Sequence, residues 1–225
     1  MGQATICSIC AEEKEKEENL KQYKSEDFFI SETKLKNIDH PTLKSQKLDF
    51  SLKLNNFFDY QTHIVKEGFG IIYFTNHSLF KGLFYNGIPN SWGIYFNPSN
   101  EIYQGEYKND KPNGYGIYKH ITESSYEGYW INEKQDGIGI EIWGDSSIYK
   151  GQFSKGEKKG NGTYIFPNNN IYVGEWSDNL MNGWGIYNYG KNNNIYLGEW
   201  KNGLRNGYGE IYDKKKKVFF WILYK

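Results

Sequence analysis

Residues 171–187 read IYVGEWSDNLMNGWGIY, and residues 195–212 read IYLGEWKNGLRNGYGEIY. A chain that repeats one phrase at a fixed step must stack copies of one supersecondary unit, which excludes most globular folds at once. With Tyr172 as position one, the skeleton is aromatic-x-Gly-x-aromatic, followed by Gly-x-Gly from position twelve. It recurs from Tyr103, Tyr126, Tyr149, Tyr172 and Tyr196, at steps of 23, 23, 23 and 24 residues. The extra residue falls in the loop YGKNNN, where an insertion costs little. One step back reaches Phe80, whose unit carries Ser91 in place of the first glycine of the pair. A further step reaches Phe57, where Asp59 and Gln61 replace the early glycine and aromatic while Gly68 and Gly70 remain. Forward, Phe219 opens a partial unit with Trp221 at the glycine position. The array therefore spans 57–225, with units starting near 57, 80, 103, 126, 149, 172 and 196 and a fragment at 219. Degenerate ends fit a stack whose terminal units have one neighbour only.

Within a unit, positions one, three and five alternate, as do twelve, fourteen and sixteen, which is the period of a strand. A polar turn such as SDNLMN or KNGLRN separates them, so each unit is a β-hairpin. The predicted fold is all-β: an elongated, twisted single sheet of tandem 23-residue hairpins, preceded by a mostly disordered or partly helical extension. Two strands per unit advance such a sheet by about 10 Å. Composition says what holds it together. The hydrophobic fraction is only 38%, yet there are 20 Tyr, 14 Phe and 7 Trp beside 25 Gly. Glycine in strands serves geometry, either leaving room for a ring laid across bare backbone or permitting a bend. The rings at position five, Tyr107, Trp130, Phe153, Trp176 and Trp200, are the expected occupants and the candidate partner-binding spine.

YVGEWSDNLMNGWG and YLGEWKNGLRNGYG resemble the MORN repeat (membrane occupation and recognition nexus), whose pattern is Tyr-x-Gly-Glu-Trp, a short polar turn and Gly-x-Gly. YQGEYKNDKPNGYG follows nearly as well, whereas the Tyr126 unit places its Glu at 127 and reads Asp-Gly-Ile-Gly. The resemblance covers about three quarters of the chain. It implies an open hairpin sheet used as a scaffold, often oligomerising end to end and often found at membranes or in cytoskeletal and ciliary assemblies.

Upstream, residues 1–11 hold the only two cysteines, Cys7 and Cys10. Gly2 follows Met1, so loss of the initiator exposes a candidate myristoylation site beside two thiols open to palmitoylation. The favoured hydroxyl is displaced, with Ile6 at its place and Thr5 one residue early. Two or more acyl chains anchor stably, whereas one myristoyl chain holds only marginally. The Cys-x-x-Cys spacing also admits a zinc half-site or a redox pair. His40, His63, His77 and His120 are scattered, however, and no thioredoxin-like context surrounds the motif, so no metal is expected. Residues 12–56 read as a charged flexible linker. A short helix fits Glu12/Lys16 and Glu17/Lys21, and DFFI at 27–30 is a segment able to dock on the sheet or a partner.

Charge balances at 27 basic against 27 acidic residues, which gives no long-range pull on nucleic acid. No run approaches the roughly 18–20 apolar residues of a membrane span, and no secretory signal is present, so a cytoplasmic location is expected. Catalytic residues are singular, whereas Glu106, Glu175 and Glu199 all recur at position four. The Gly-x-Gly pairs lack a third glycine and run into a strand rather than a helix. No enzyme activity and no cofactor are expected. At the C-terminus, Lys214, Lys215, Lys216 and Lys217 form a turn before an apolar closing strand. That segment reads as a solvated turn with a capping strand, as a contact for anionic lipid, or as an edge for self-association. The leading expectation is a scaffold tethered to a membrane by acyl chains, holding an extended or helical segment of a protein partner along its aromatic face. The alternatives are a structural subunit of a ciliary or cytoskeletal complex without an anchor, and a phosphoinositide-binding peripheral membrane protein.

Overall fold

The computed structural model describes residues 66–190 and 194–213, and the backbone of 218–224. Fourteen strands follow one another in chain order. They are β1 (Glu67–Tyr73), β2 (Leu79–Tyr85), β3 (Ile88–Phe96), β4 (Ile102–Lys108), β5 (Lys111–Lys119), β6 (Ser125–Ile131) and β7 (Lys134–Ile142). After them come β8 (Ile148–Ser154), β9 (Glu157–Ile165), β10 (Ile171–Ser177), β11 (Leu180–Asn188), β12 (Asn194–Lys201), β13 (Leu204–Asp213) and β14 (Val218–Tyr224). Each pairs antiparallel with its neighbours in one open sheet ordered β1 to β14, with no crossover. The expected opening strand near Phe57 lies outside the described residues.

The turn inside each unit is shorter than the six-residue polar stretch suggested. Only two residues connect the strands: Asn86-Gly87, Asn109-Asp110, Asn132-Glu133, Lys155-Gly156, Asp178-Asn179 and Asn202-Gly203, all with positive φ. That is the mirror-image turn whose twist matches the right-handed twist of the strands it joins, so pairing continues up to it. In each turn the position-eight N–H also donates to the position-ten carbonyl of the preceding unit, as Asp110 does to Pro89 (2.9 Å) and Glu133 to Pro112 (3.0 Å). These bonds lock successive hairpins together at their tips.

At the other end, the links between units close from residue i to i+4, as Trp143 N–H to Ser147 O (3.0 Å). The link after β11 closes one residue later, from Tyr189 N–H to Asn194 O (2.9 Å), so the inserted residue of YGKNNN is absorbed there without disturbing register. β14 shows a second such offset. Its backbone sets Phe220 opposite Ile211 and Ile222 opposite Gly209, so Phe220, not Phe219, stands at position one. A one-residue slip of register would reverse every side chain of a strand.

Register brings the glycines into one line. Gly70, Gly82, Gly93, Gly105, Gly116 and Gly128 face one another in succession, and the row runs on through Gly139, Gly151, Gly162, Gly174, Gly185 and Gly198 to Gly209. The ring laid across this row is the one at position one, which corrects the expectation for position five. A Cβ on Gly116 would stand 2.2 Å from the Tyr103 hydroxyl, and one on Gly139 would stand 2.4 Å from that of Tyr126. The reason is hydrogen bonding: each position-one hydroxyl reaches over the glycines to donate to the position-four carbonyl, as Tyr149 does to Gln152 (3.0 Å) and Tyr172 to Glu175 (2.9 Å).

The position-five rings stand edge-on between successive position-one rings. Tyr103, Trp130, Tyr126, Phe153, Tyr149, Trp176, Tyr172 and Trp200 follow one another with centroids 5.0–5.3 Å apart and planes 79–90° from parallel. Perpendicular packing sets the positive edge of one ring against the negative face of the next, adding about 0.5–1.5 kcal/mol per pair beyond area burial. The core of this single-layer sheet is thus a file of rings on a strip of bare backbone.

Candidate functional site

On the face that carries the ring file, the side chains form a floor and two rims. The floor is buried throughout: Tyr107, Trp130, Phe153, Trp176 and Trp200, the candidate binding residues from sequence, are 4–9% exposed, and Tyr149, Tyr172 and Tyr196 are 0% exposed. Two floor indoles are fixed as well, Trp130 Nε1 donating to Gly116 O (3.1 Å) and Trp176 Nε1 to Gly162 O (3.3 Å), whereas Trp200 Nε1 is buried without a hydrogen-bond partner. Only ring edges remain for a guest. Burial holds the hydroxyls of Tyr103, Tyr107, Tyr126 and Tyr149 protonated far above the ordinary tyrosine range.

One rim consists of half-buried rings at positions sixteen and eighteen, including Tyr95, Tyr118, Trp143, Tyr164, Phe166, Tyr187 and Tyr189. The other is the row of hairpin tips, with Pro112, Gln135, Lys158, Met181 and Arg205 at position ten. Between the rims the first half of the array is open. A cavity of about 570 Å³ is lined by Phe74, Tyr95, Tyr103, Tyr107, Asp110, Pro112 and Glu133, among others. Next to it, a cavity of about 540 Å³ is lined by Tyr103, Pro112, Tyr118, Trp130 and Glu133, with Lys134 and Lys155 on its edge. Shared lining makes the two one trough, one unit apart.

The open trough ends at a charged bridge. Glu141 occupies position sixteen, where the neighbouring units place Tyr118 and Tyr164, and Lys158 reaches across from the opposite rim to meet it (Nζ to Oε2, 2.9 Å). The lysine lies over Trp143 at 4.6 Å and over the floor ring Tyr149 at 5.3 Å, and the two charged side chains are 12% and 22% exposed. Beyond this bridge the rim rings lean onto the floor, Tyr164 to Trp176 at 6.0 Å and Tyr187 to Trp200 at 5.7 Å. Sequence reasoning missed the bridge, although its signal was present as a charge breaking phase in an aromatic row.

The position-four acids have a local duty. A bulge opens each hairpin between positions three and five, and the acid folds back over it. Glu106 accepts from Tyr115 N–H (3.0 Å), Glu175 from Trp184 N–H (2.9 Å) and Glu199 from Tyr208 N–H (3.3 Å), with Gln152 doing the same for Asn161 (2.9 Å). These carboxylates face the side opposite the trough. Along that opposite face Phe69, Trp92, Tyr129 and Ile138 are exposed. Among the described residues no cluster of three or more His, Cys, Asp or Glu is placed to hold a metal. Gly2, Cys7, Cys10 and Lys214–Lys217 lie outside the described residues.

The MORN repeat family model matches residues 103–121, 126–148, 149–171, 172–193 and 196–215. The chain belongs to the MORN-repeat family. Its five matched units are those with the complete skeleton, and the open half of the trough lies across the first two of them and the degenerate unit before. Nothing among the curated proteins is significantly similar to this MORN-repeat chain. Among solved structures it is similar to the SAS-4 (dCPAP) TCP domain of Drosophila melanogaster, in complex with a proline-rich motif of Ana2 (dSTIL). That likeness has 17% identity over 71% of this chain and 86% of that one, with a TM-score of 0.45. It is also similar to the wild-type TCP10 domain of Danio rerio CPAP, at 8% identity over 69% of this chain and 73% of that one, with a TM-score of 0.43. Neither likeness is close enough to bear on what this chain binds.

Proposed function

We propose that this chain is a non-enzymatic scaffold subunit, which holds an extended or helical segment of a protein partner along its trough within a larger structural assembly. The observation that carries this is the trough itself: two contiguous cavities over a rigid aromatic floor, rimmed by half-buried rings that a partner would cover. A single-layer sheet encloses no water-excluded chamber for chemistry, whereas a long, preorganised, ring-lined surface loses little entropy on capturing a chain. A ciliary or cytoskeletal setting is one of the two, with membranes, that the MORN resemblance implies. Acylation at Gly2, Cys7 and Cys10 rests on the N-terminal motif alone and is not needed for this role.

A photo-crosslinking side chain placed at Tyr118, on the trough rim, tests the reading against the same group at Ile138, which is 67% exposed on the opposite face. In the native cell extract, a discrete protein adduct from position 118 and none from 138 is the expected result. Adducts from 138 alone would move the binding site to the other face.

A further inference from the structure

Two properties of the open half of the trough narrow its occupant: its pitch and the sign of its rim. Successive units are two strand spacings apart, about 9.6 Å. A polyproline II helix advances about 9.3 Å per three-residue turn, so one turn per unit keeps every third residue over equivalent floor rings. Two turns of an α-helix advance about 10.8 Å and drift out of step by more than an ångström per unit. Aromatic-lined grooves also suit a segment whose extended form is already set before binding.

The rim changes sign within one unit. The first cavity is edged by Asp110 and Glu133, and the second adds Lys134 and Lys155. Asp110 and Glu133 both stand at position eight, the second residue of the two-residue turn, where the other described units have Gly87, Gly156, Asn179 and Gly203. Each therefore holds a side chain on left-handed backbone, φ +64° and +68°, that glycine would adopt more easily. Burial, and then the neighbouring Glu133, raise the Asp110 carboxyl against a smaller opposing pull from Lys111, and an incoming cation would lessen the carboxylate repulsion. Lys111 touches Glu133 at 3.7 Å but is half exposed, which leaves the carboxylate open to exchange of partner.

Taking the trough as the partner site, we infer that its occupant is a polyproline II segment carrying a basic residue over Asp110 and Glu133, with an acidic residue one turn away beside Lys134 and Lys155. The Lys158–Glu141 bridge closes the trough beyond the second cavity and sets the limit of the segment.

The test uses the full chain and three synthetic peptides of equal length. The first is a proline peptide with Arg and Glu three residues apart, the second replaces both charges with Gln, and the third places the same Arg and Glu in an alanine-rich helix. Binding is followed by titration, with the indole signal of Trp130 reporting the trough. The charged proline peptide should bind at least about tenfold more tightly than its Gln counterpart, and Asp110→Asn with Glu133→Gln should erase the difference. Equal binding of the two proline peptides would overturn the charge reading. Tighter binding of the helical peptide would overturn the polyproline II reading while leaving the trough in place. Binding that moves no trough signal would instead remove the trough as the partner site.

Discussion

At the scale of the residue, glycine and tyrosine divide the labour. The second glycine of each pair is needed for space and not for unusual φ: Gly139 lies under the Tyr126 ring, and a methyl group there would meet the ring carbons at 2.6 Å. Gly139→Ala should therefore cost about 1–3 kcal/mol, read as a lower urea midpoint at unchanged slope. Gly156 differs in kind, with φ +91° and nothing within reach of an added Cβ. Its replacement by Ala should cost about 1 kcal/mol through backbone strain alone. A Gly139→Ala variant as stable as wild type would mean that the ring does not rest on the backbone. The hydroxyl of the same ring class is worth less. Tyr149→Phe, which removes the bond to Gln152 O, should lose about 0.5–1.5 kcal/mol, and Phe80 already occupies position one without a hydroxyl.

At the scale of the element, a hairpin unit is a self-bonded piece that exposes a ring on each side for its neighbour. Most units repeat the same solution, so the charged bridge between β7 and β9 stands out as an exchange of ring packing for an ion pair. Removing one partner of a largely buried pair leaves a charge in poor solvent. Glu141→Tyr alone, which restores the usual residue, should thus destabilise by about 2 kcal/mol, because Lys158 keeps its charge amid Trp143, Tyr149 and Phe153. Adding Lys158→Met, the residue type of Met181 at the same position, should return stability to within about 1 kcal/mol of wild type or above it. A urea-based double-mutant cycle checks this, and simple additivity of the two changes would show that the pair is not coupled.

At the scale of the whole molecule, the ring file makes the sheet sensitive to base. The folded state raises the tyrosine hydroxyls of Tyr103, Tyr107, Tyr126 and Tyr149 above their unfolded value, so it binds protons that the unfolded chain releases. Stability from these groups is complete below about pH 10 and falls as pH rises beyond it. Tyrosinate absorbance from the buried rings should appear only together with loss of the strand circular dichroism signal. Titration of all 20 tyrosines before unfolding would contradict the buried file. By itself the sequence determined the repeat, its 23-residue step, the hairpin unit and the place of the extra loop residue, because strand alternation and turn chemistry are local and five complete copies remove ambiguity. It put the wrong ring over the glycines, position five instead of position one, since the two share a face and only the reach of the Tyr103-type hydroxyl to the position-four carbonyl distinguishes them. Tertiary structure alone joined Lys158 to Glu141 across 17 residues and opened the trough before that bridge. Those contacts depend on which side chains neighbouring hairpins bring side by side, and a period read along the chain does not contain that information.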